Sequence, residues 1–162
     1  MEHVIKLLIV DDEVRFLKAI AQRLAKRGFK VRTASNGETA IQLAREEKFD
    51  IAILDLKMPG MDGGQVLKVL KEEHEFLEAV ILTGHGSLES AVELSKLGAF
   101  TYLPKPYEME KLSQVLKDAY EARLKKKFAS DQAKMDKILA LASGQSPLAI
   151  LRQLRALDDE RR

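Results

Sequence analysis

The stretch DIAILDLKMPG, residues 50–60, decides the fold. Ile51 to Leu56 reads as a buried strand, and a carboxylate, Asp55, arrives where the apolar run stops. Met58-Pro59-Gly60 follows at once and marks a turn. A strand that is apolar in succession, rather than alternately, belongs to a sheet covered on both faces. The stretch therefore sets a core strand beside an acid at its mouth.

Working outward, four more apolar runs appear: Val4 to Val10, the weaker Phe29 to Ala34, Ala79 to Thr83, and Phe100 to Leu103. Between and after them the periodicity changes to three and four. Leu17, Ile20 and Leu24 share one helix face, as do Ile41 and Ala44, and Val66, Leu67 and Leu70. Leu88, Ala91 and Val92 stripe a fourth helix, and Met109, Leu112, Leu116 and Ala119 a fifth. Gly28 and Gly98 are natural helix stops. Ser35 with Glu38 fits a capping box, and Ser87 can cap the fourth helix. Five strand–helix units predict an α/β fold: a five-stranded parallel sheet with crossover helices on both faces.

In such sheets the loops at the carboxyl ends of the strands gather at one edge. Asp11 and Asp12 end the first strand, Asp55 the third and Thr83 the fourth, and Lys105 follows the fifth. A strand-terminal Asp by itself is ordinarily a turn former or a helix cap. Four separate segments delivering polar groups to one edge form a constellation. Three close carboxylates repel one another, and a hard cation such as Mg²⁺ relieves that repulsion through oxygen ligands. An open coordination position could take a phosphoryl oxygen, Lys105 a second and the Thr83 hydroxyl a third. Gly84 adds no bulk beside them. Asp55 is then a nucleophile able to form an acyl phosphate.

These residues carry a resemblance. Asp11-Asp12-Glu13, Asp55 followed by Met58-Pro59-Gly60-Met61-Asp62-Gly63, Thr83-Gly84, and Tyr102-Leu103-Pro104-Lys105-Pro106 resemble the receiver domain of two-component response regulators, over about residues 4–122. The resemblance implies the flavodoxin-like strand order 2-1-3-4-5 and a cis Lys105–Pro106 bond. It implies that Asp55 accepts phosphate from a sensor histidine kinase or phosphotransfer protein. Asp11, Asp12 and Asp55 would hold Mg²⁺ with the backbone carbonyl of Lys57, and Thr83 and Lys105 would bind the phosphoryl group. Tyr102 would be an aromatic switch that turns inward with Thr83; taken alone, it reads as an edge-strand aromatic with its hydroxyl in water. The face of the fourth helix, fifth strand and fifth helix would report the charge change to a downstream protein target or a second copy. Lys57 and His85 flank the approach of a hydrolytic water. Lys57 is expected to slow loss of the phosphate, and His85 is assigned no role.

Such a protein is a phosphoacceptor switch, limited to its own phosphorylation and dephosphorylation, rather than an enzyme acting on others. A haloacid-dehalogenase-type phosphatase also uses an aspartyl nucleophile and Mg²⁺, but generally carries a second Asp where this chain has Lys57. A phosphate-independent scaffold is opposed by the presence of every acidic, hydroxyl and lysine position.

The bulk properties agree. Among 162 residues no apolar run is long enough to span a membrane, and the N-terminus lacks signal-peptide features. There is no cysteine, which removes disulfide and thiolate-metal chemistry and fits a cytoplasmic setting. The net charge of +2 is unevenly spread. Residues 1–120 hold 17 Lys/Arg against 19 Asp/Glu, and residues 121–162 hold 10 against 6. That divides the chain into a receiver domain, 1–122, and a basic helical tail, 123–162.

The tail is too short for a winged helix and lacks a clear helix-turn-helix pattern, which argues against DNA binding. Lys125-Lys126-Lys127 fits a solvated helix face better than a phosphate contact. Met135, Ile138, Leu139 and Ala142 form an apolar stripe ending at Ser143-Gly144, and Ser146-Pro147 is a good start for a helix carrying Ile150, Leu154 and Leu157. One or two amphipathic helices result; their apolar faces must find a surface, whether this receiver, a second copy or another protein, and self-association or partner docking is the expected use.

Overall fold

The computed structural model describes residues 4–84, 88–141 and 145–159. The strands are β1 (Lys6–Val10), β2 (Lys30–Ala34), β3 (Ile51–Leu54), β4 (Glu78–Thr83) and β5 (Thr101–Pro104). The helices are α1 (Val14–Lys26), α2 (Gly37–Glu46), α3 (Gly63–Glu73), α4 (Leu88–Lys96), α5 (Met109–Lys127), α6 (Gln132–Ala140) and α7 (Pro147–Asp159). All strand pairs are parallel, in the order β2-β1-β3-β4-β5.

The apolar strands supply a core on each side of the sheet. Leu7 and Ile9, Ile51 and Ile53, and Val80 and Leu82 face α1 and α5. Leu8 and Val10, Ala52 and Leu54, and Ala79 and Ile81 face α2, α3 and α4. This period of two within fully buried strands is why the sequence reads as continuous rather than alternating apolar runs. Leu17, Ile20 and Leu24 are the buried face of α1. That helix stops where Gly28 takes φ +97°, a left-handed conformation in which a side chain would be strained.

Ser35 does not cap α2. The cap is Asn36, whose side chain accepts a hydrogen bond from the Thr39 amide at 2.8 Å. Both neighbours are good cap residues, and the extended backbone of Asn36 aims its carboxamide at the first free amides. The capping box lies instead at α3, where Asp62 accepts from the Gln65 amide and the Gln65 side chain accepts from the Asp62 amide, each at 3.0 Å. Ser87, expected to cap α4, lies outside the described residues, as do His85, Ala142, Ser143 and Gly144.

α5 runs on to Lys127, past residue 122, and ends at Phe128. Two helices follow it, and of the three surfaces open to their apolar faces α7 takes the receiver itself, which corrects the expected self-association or partner docking for that helix. Ile150, Leu151, Leu154 and Leu157 are buried in the same core as α1, β1 and α5, with Ile138 of α6 beside them. Burial of each such side chain contributes about 1.5–3 kcal/mol, so docking on its own chain is the favoured use of that face. The basic run is also engaged internally. Lys125 pairs with Glu121 at 2.9 Å, Lys126 with Glu78 at 2.7 Å, and Lys127 with Asp158.

A buried ionic cluster ties α5 and α7 to the amino end of β3. Asp50 accepts the Lys6 amide at 2.9 Å and pairs with Arg123 at 3.2 Å and Arg155 at 3.7 Å. Asp158 accepts from the Tyr120 hydroxyl and pairs with Lys127, Arg123 and Arg155. Burial pushes the Asp50 carboxyl up despite its arginines. Burial acts the same way on Asp158, but hydrogen bonds from Lys127 and Tyr120 outweigh it and hold that carboxyl below the usual range. Among the described residues, no helix is long and apolar enough to cross a membrane.

Candidate functional site

The site stands at the carboxyl ends of the central strands. Its position follows from register: Val10 lies opposite Leu54, and the Asp55 amide donates to the Val10 carbonyl at 2.9 Å. The Asp11 amide donates to the Ala34 carbonyl at 3.1 Å. Asp11 and Asp55 thus sit side by side, each one residue beyond its strand. One carboxylate oxygen from each of Asp11, Asp12 and Asp55 lies within 4.8 Å of the others. Asp11 and Asp55 are buried and Asp12 is exposed, so the cluster opens to solvent on the Asp12 side.

Asp55 is held by its own chain. Oδ1 accepts the Leu56 amide at 2.8 Å. Oδ2 is buried and has no hydrogen-bond partner. An unpartnered buried carboxylate oxygen is costly unless a cation or a new bond meets it. Hard oxygen donors at this spacing fit Mg²⁺.

Asp11 is engaged at both oxygens. Oδ1 accepts the Glu13 amide at 2.8 Å, and Oδ2 accepts from Lys105 at 2.7 Å. Burial raises the Asp11 pKa and the nearby Asp55 charge adds to it; Lys105 and the Glu13 amide oppose them without cancelling them. Lys105 also donates to Glu13 Oε1 at 2.8 Å and lies 4.1 Å over the Phe16 ring. Tyr107 meets that ring edge-on at 5.9 Å. Burial works against the Lys105 ammonium, but its hydrogen bonds to Asp11 and Glu13 prevail and the pKa is raised. The Lys105–Pro106 bond is cis, as the resemblance implies.

Thr83 ends β4 fully buried, opposite Pro104, and its carbonyl accepts the Lys105 amide at 3.0 Å. Tyr102 pairs in register with Ile81 and is half-buried against the core on the α2, α3 and α4 side. By alternation, Thr83 and Tyr102 belong to one face of the β4–β5 pair. Gly84 has open space where a side chain would project. Lys57 follows Asp55 in the β3–α3 loop with its side chain exposed.

Three features escaped sequence reasoning. Glu13 stands in the acidic triplet, yet nothing in the sequence shows that it grips Lys105, 92 residues away. Gly63 opens α3 so close to β3 that a Cβ there would fall 2.3 Å from the Asp55 carbonyl oxygen. Its place in the quoted motif was the available signal. The Asp50 cluster lies at the far end of the sheet, and its sequence signal is an acid placed just before a buried strand.

Comparison with known proteins agrees with this geometry. The profile described as the response regulator receiver domain matches residues 7–117. Sporulation initiation phosphotransferase F of Bacillus subtilis is 34% identical over 112 residues, covering 69% of this chain and 90% of that protein. Transcriptional regulatory protein GlrR of Escherichia coli is 37% identical over 115 residues, covering 71% of this chain and 26% of that protein. The chain thus spans about a quarter of the length of several curated relatives it matches. Among solved structures, a CheY-like receiver domain protein from Methanospirillum hungatei superposes with a TM-score of 0.73 at 28% identity, over 76% of this chain and 98% of that one. A receiver domain protein from Clostridium thermocellum gives 0.68 at 35% identity, over 72% and 94%.

Proposed function

The chain belongs to the response regulator receiver domain family, phosphoacceptor switches rather than catalytic enzymes, and from that premise we propose that Asp55 accepts a phosphoryl group from a histidine kinase or phosphotransfer protein. The observation that carries this reading is the Asp55 Oδ2 atom: buried, unpartnered, and set among the Asp11 and Asp12 carboxylates. A nucleophile with one oxygen fixed by the Leu56 amide presents the other in a single direction.

In the transfer, the bond from phosphorus to the donor nitrogen breaks as the bond from Asp55 Oδ2 to phosphorus forms. The bond's electron pair stays on that nitrogen, and a donor ring that carries a proton on its other nitrogen leaves as neutral imidazole. Asp11, Asp12, Asp55 and the carbonyl of Lys57 would hold Mg²⁺, which supplies charge neutralisation on the transferring oxygens. The Lys105 ammonium would turn to one phosphoryl oxygen and the Thr83 hydroxyl to another. Tyr102 shares the face of β5 that Thr83 occupies on β4, which supports its reading as the residue that follows Thr83 when phosphate arrives. The surface of α4, β5 and α5 then presents the changed state to a protein target. Lys57, exposed in the β3–α3 loop two residues past Asp55, would obstruct hydrolysis of the acyl phosphate.

The test is incubation with a small phosphodonor, with and without Mg²⁺. The wild-type protein should incorporate phosphate only with the metal, and Asp55→Asn should incorporate none. Rapid turnover on unrelated phosphate esters would support a phosphatase instead, and no incorporation from small donors or kinases a scaffold.

A further inference from the structure

We propose that Glu13 and Phe16 form a berth that competes with an incoming phosphoryl group for the Lys105 ammonium and so restrains phosphorylation of Asp55. This deepens the phosphoacceptor reading and rests on it. Lys105 has three donor hydrogens. Two meet carboxylates, Asp11 Oδ2 at 2.7 Å and Glu13 Oε1 at 2.8 Å, while the Phe16 ring lies 4.1 Å away. Tyr107 packs edge-on against Phe16 and fixes the ring's tilt. The lysine is thus bound to a carboxylate and a ring that have no other part in the proposed chemistry.

The geometry points to competition. Two of the three Lys105 donors are in use, so turning to a phosphoryl oxygen means shifting the ammonium from the carboxylates and ring that now position it. A cation held by Asp11 would draw that carboxylate away from Lys105. The Glu13 contact would persist as a second hold on the ammonium. Glu13 reaches Lys105 from the turn between β1 and α1, with its amide fixed on Asp11 Oδ1 at 2.8 Å. That bond places the Glu13 backbone beside the site, so its side chain returns to Lys105 from a fixed base. Glu13 is therefore a positioning residue acting through Lys105. Its side chain is 60% exposed, so its hold is moderate and a replacement there leaves the core untouched.

The experiment compares wild type, Glu13→Gln and Glu13→Asp in the rate of phosphorylation by phosphoramidate at saturating Mg²⁺. Each is repeated in a Lys105→Met background. Glu13→Gln should phosphorylate faster, by roughly two- to fivefold, the range of a partly exposed ion pair. Glu13→Asp should fall back toward wild type, and the gain should vanish without Lys105. A merely structural role would slow the reaction or leave it unchanged, and either result overturns the berth. A gain that persists in Lys105→Met also overturns it, because the effect would then be one of general charge. In parallel, the Lys105 ammonium is followed by ¹⁵N NMR in metal-free protein. Its exchange-protected signal should weaken in Glu13→Gln and in Phe16→Leu; an unaltered signal overturns the berth. That readout is independent of phosphorylation, so it decides the berth even if wild-type protein takes up no phosphate and the parent reading fails.

Discussion

Gly63 and Asp55 meet backbone to backbone: the first residue of α3 lies so close that a Cβ at 63 would fall 2.3 Å from the Asp55 carbonyl oxygen and 3.1 Å from Leu56 Cα. The Gly63 amide also donates to the Leu56 carbonyl at 2.9 Å. The start of α3 therefore sets where the strand carrying Asp55 ends. Gly63→Ala must push the two apart. It should cost about 1–3 kcal/mol, the usual range for overpacking, and slow phosphorylation of Asp55. Urea unfolding and the small-donor rate check both effects; wild-type values for both would remove this role of Gly63.

The docked tail makes a second prediction. Leu154 of α7 is fully buried in the core shared with α1 and α5. Leu154→Ala should destabilise the whole unit by about 2–5 kcal/mol in a single unfolding transition. A separate early transition, or no loss, would show that α7 does not share the receiver's core.

The buried cluster at the amino end of β3 makes stability depend on pH. The folded pKa of Asp158 is lowered, because hydrogen bonds from Lys127 and Tyr120 outweigh its burial. An acid with a lowered folded pKa contributes stability above its unfolded pKa of about 3.9 and loses it as pH falls through the folded value. Asp158→Asn should therefore be less stable than wild type near neutrality, by about 1–3 kcal/mol, and the gap should close below about pH 4. Asp50 works in the opposite sense: its raised pKa favours the folded state as it protonates. Comparing the two proteins by urea unfolding across pH isolates Asp158. A gap that stays constant into acid would contradict the assignment.

Lys57 offers a kinetic prediction. If its ammonium obstructs or pairs with the phosphoryl group, Lys57→Asn should shorten the acyl-phosphate half-life, on the order of two- to fivefold for an exposed charge pair. The decay is followed after the donor is removed. An unchanged or longer half-life would refute the role.

Much of the fold was legible because its signals are local. The run from Ile51 ends where Asp55 begins, and a strand buried on both faces tolerates no other pattern. The carboxyl-edge rule then gathers Asp11, Asp12, Thr83 and Lys105 without knowledge of any distance. The cap of α2 was misread because Ser35 and Asn36 are both competent, and only backbone direction chooses between them. The use of α7 was not legible, since an amphipathic stripe states that a face will be covered and not by what. Glu13, Arg123 and Arg155 act across long sequence separations, where no period or motif registers the pairing.

The most direct test of the central claim is to locate the phosphate. After incubation with phosphoramidate and Mg²⁺, peptide mass spectrometry should find one phosphoryl group, labile to hydroxylamine, on Asp55 of the wild-type protein and none in folded Asp55→Asn. A phosphoryl group on another residue, or undiminished incorporation in Asp55→Asn, would contradict the account.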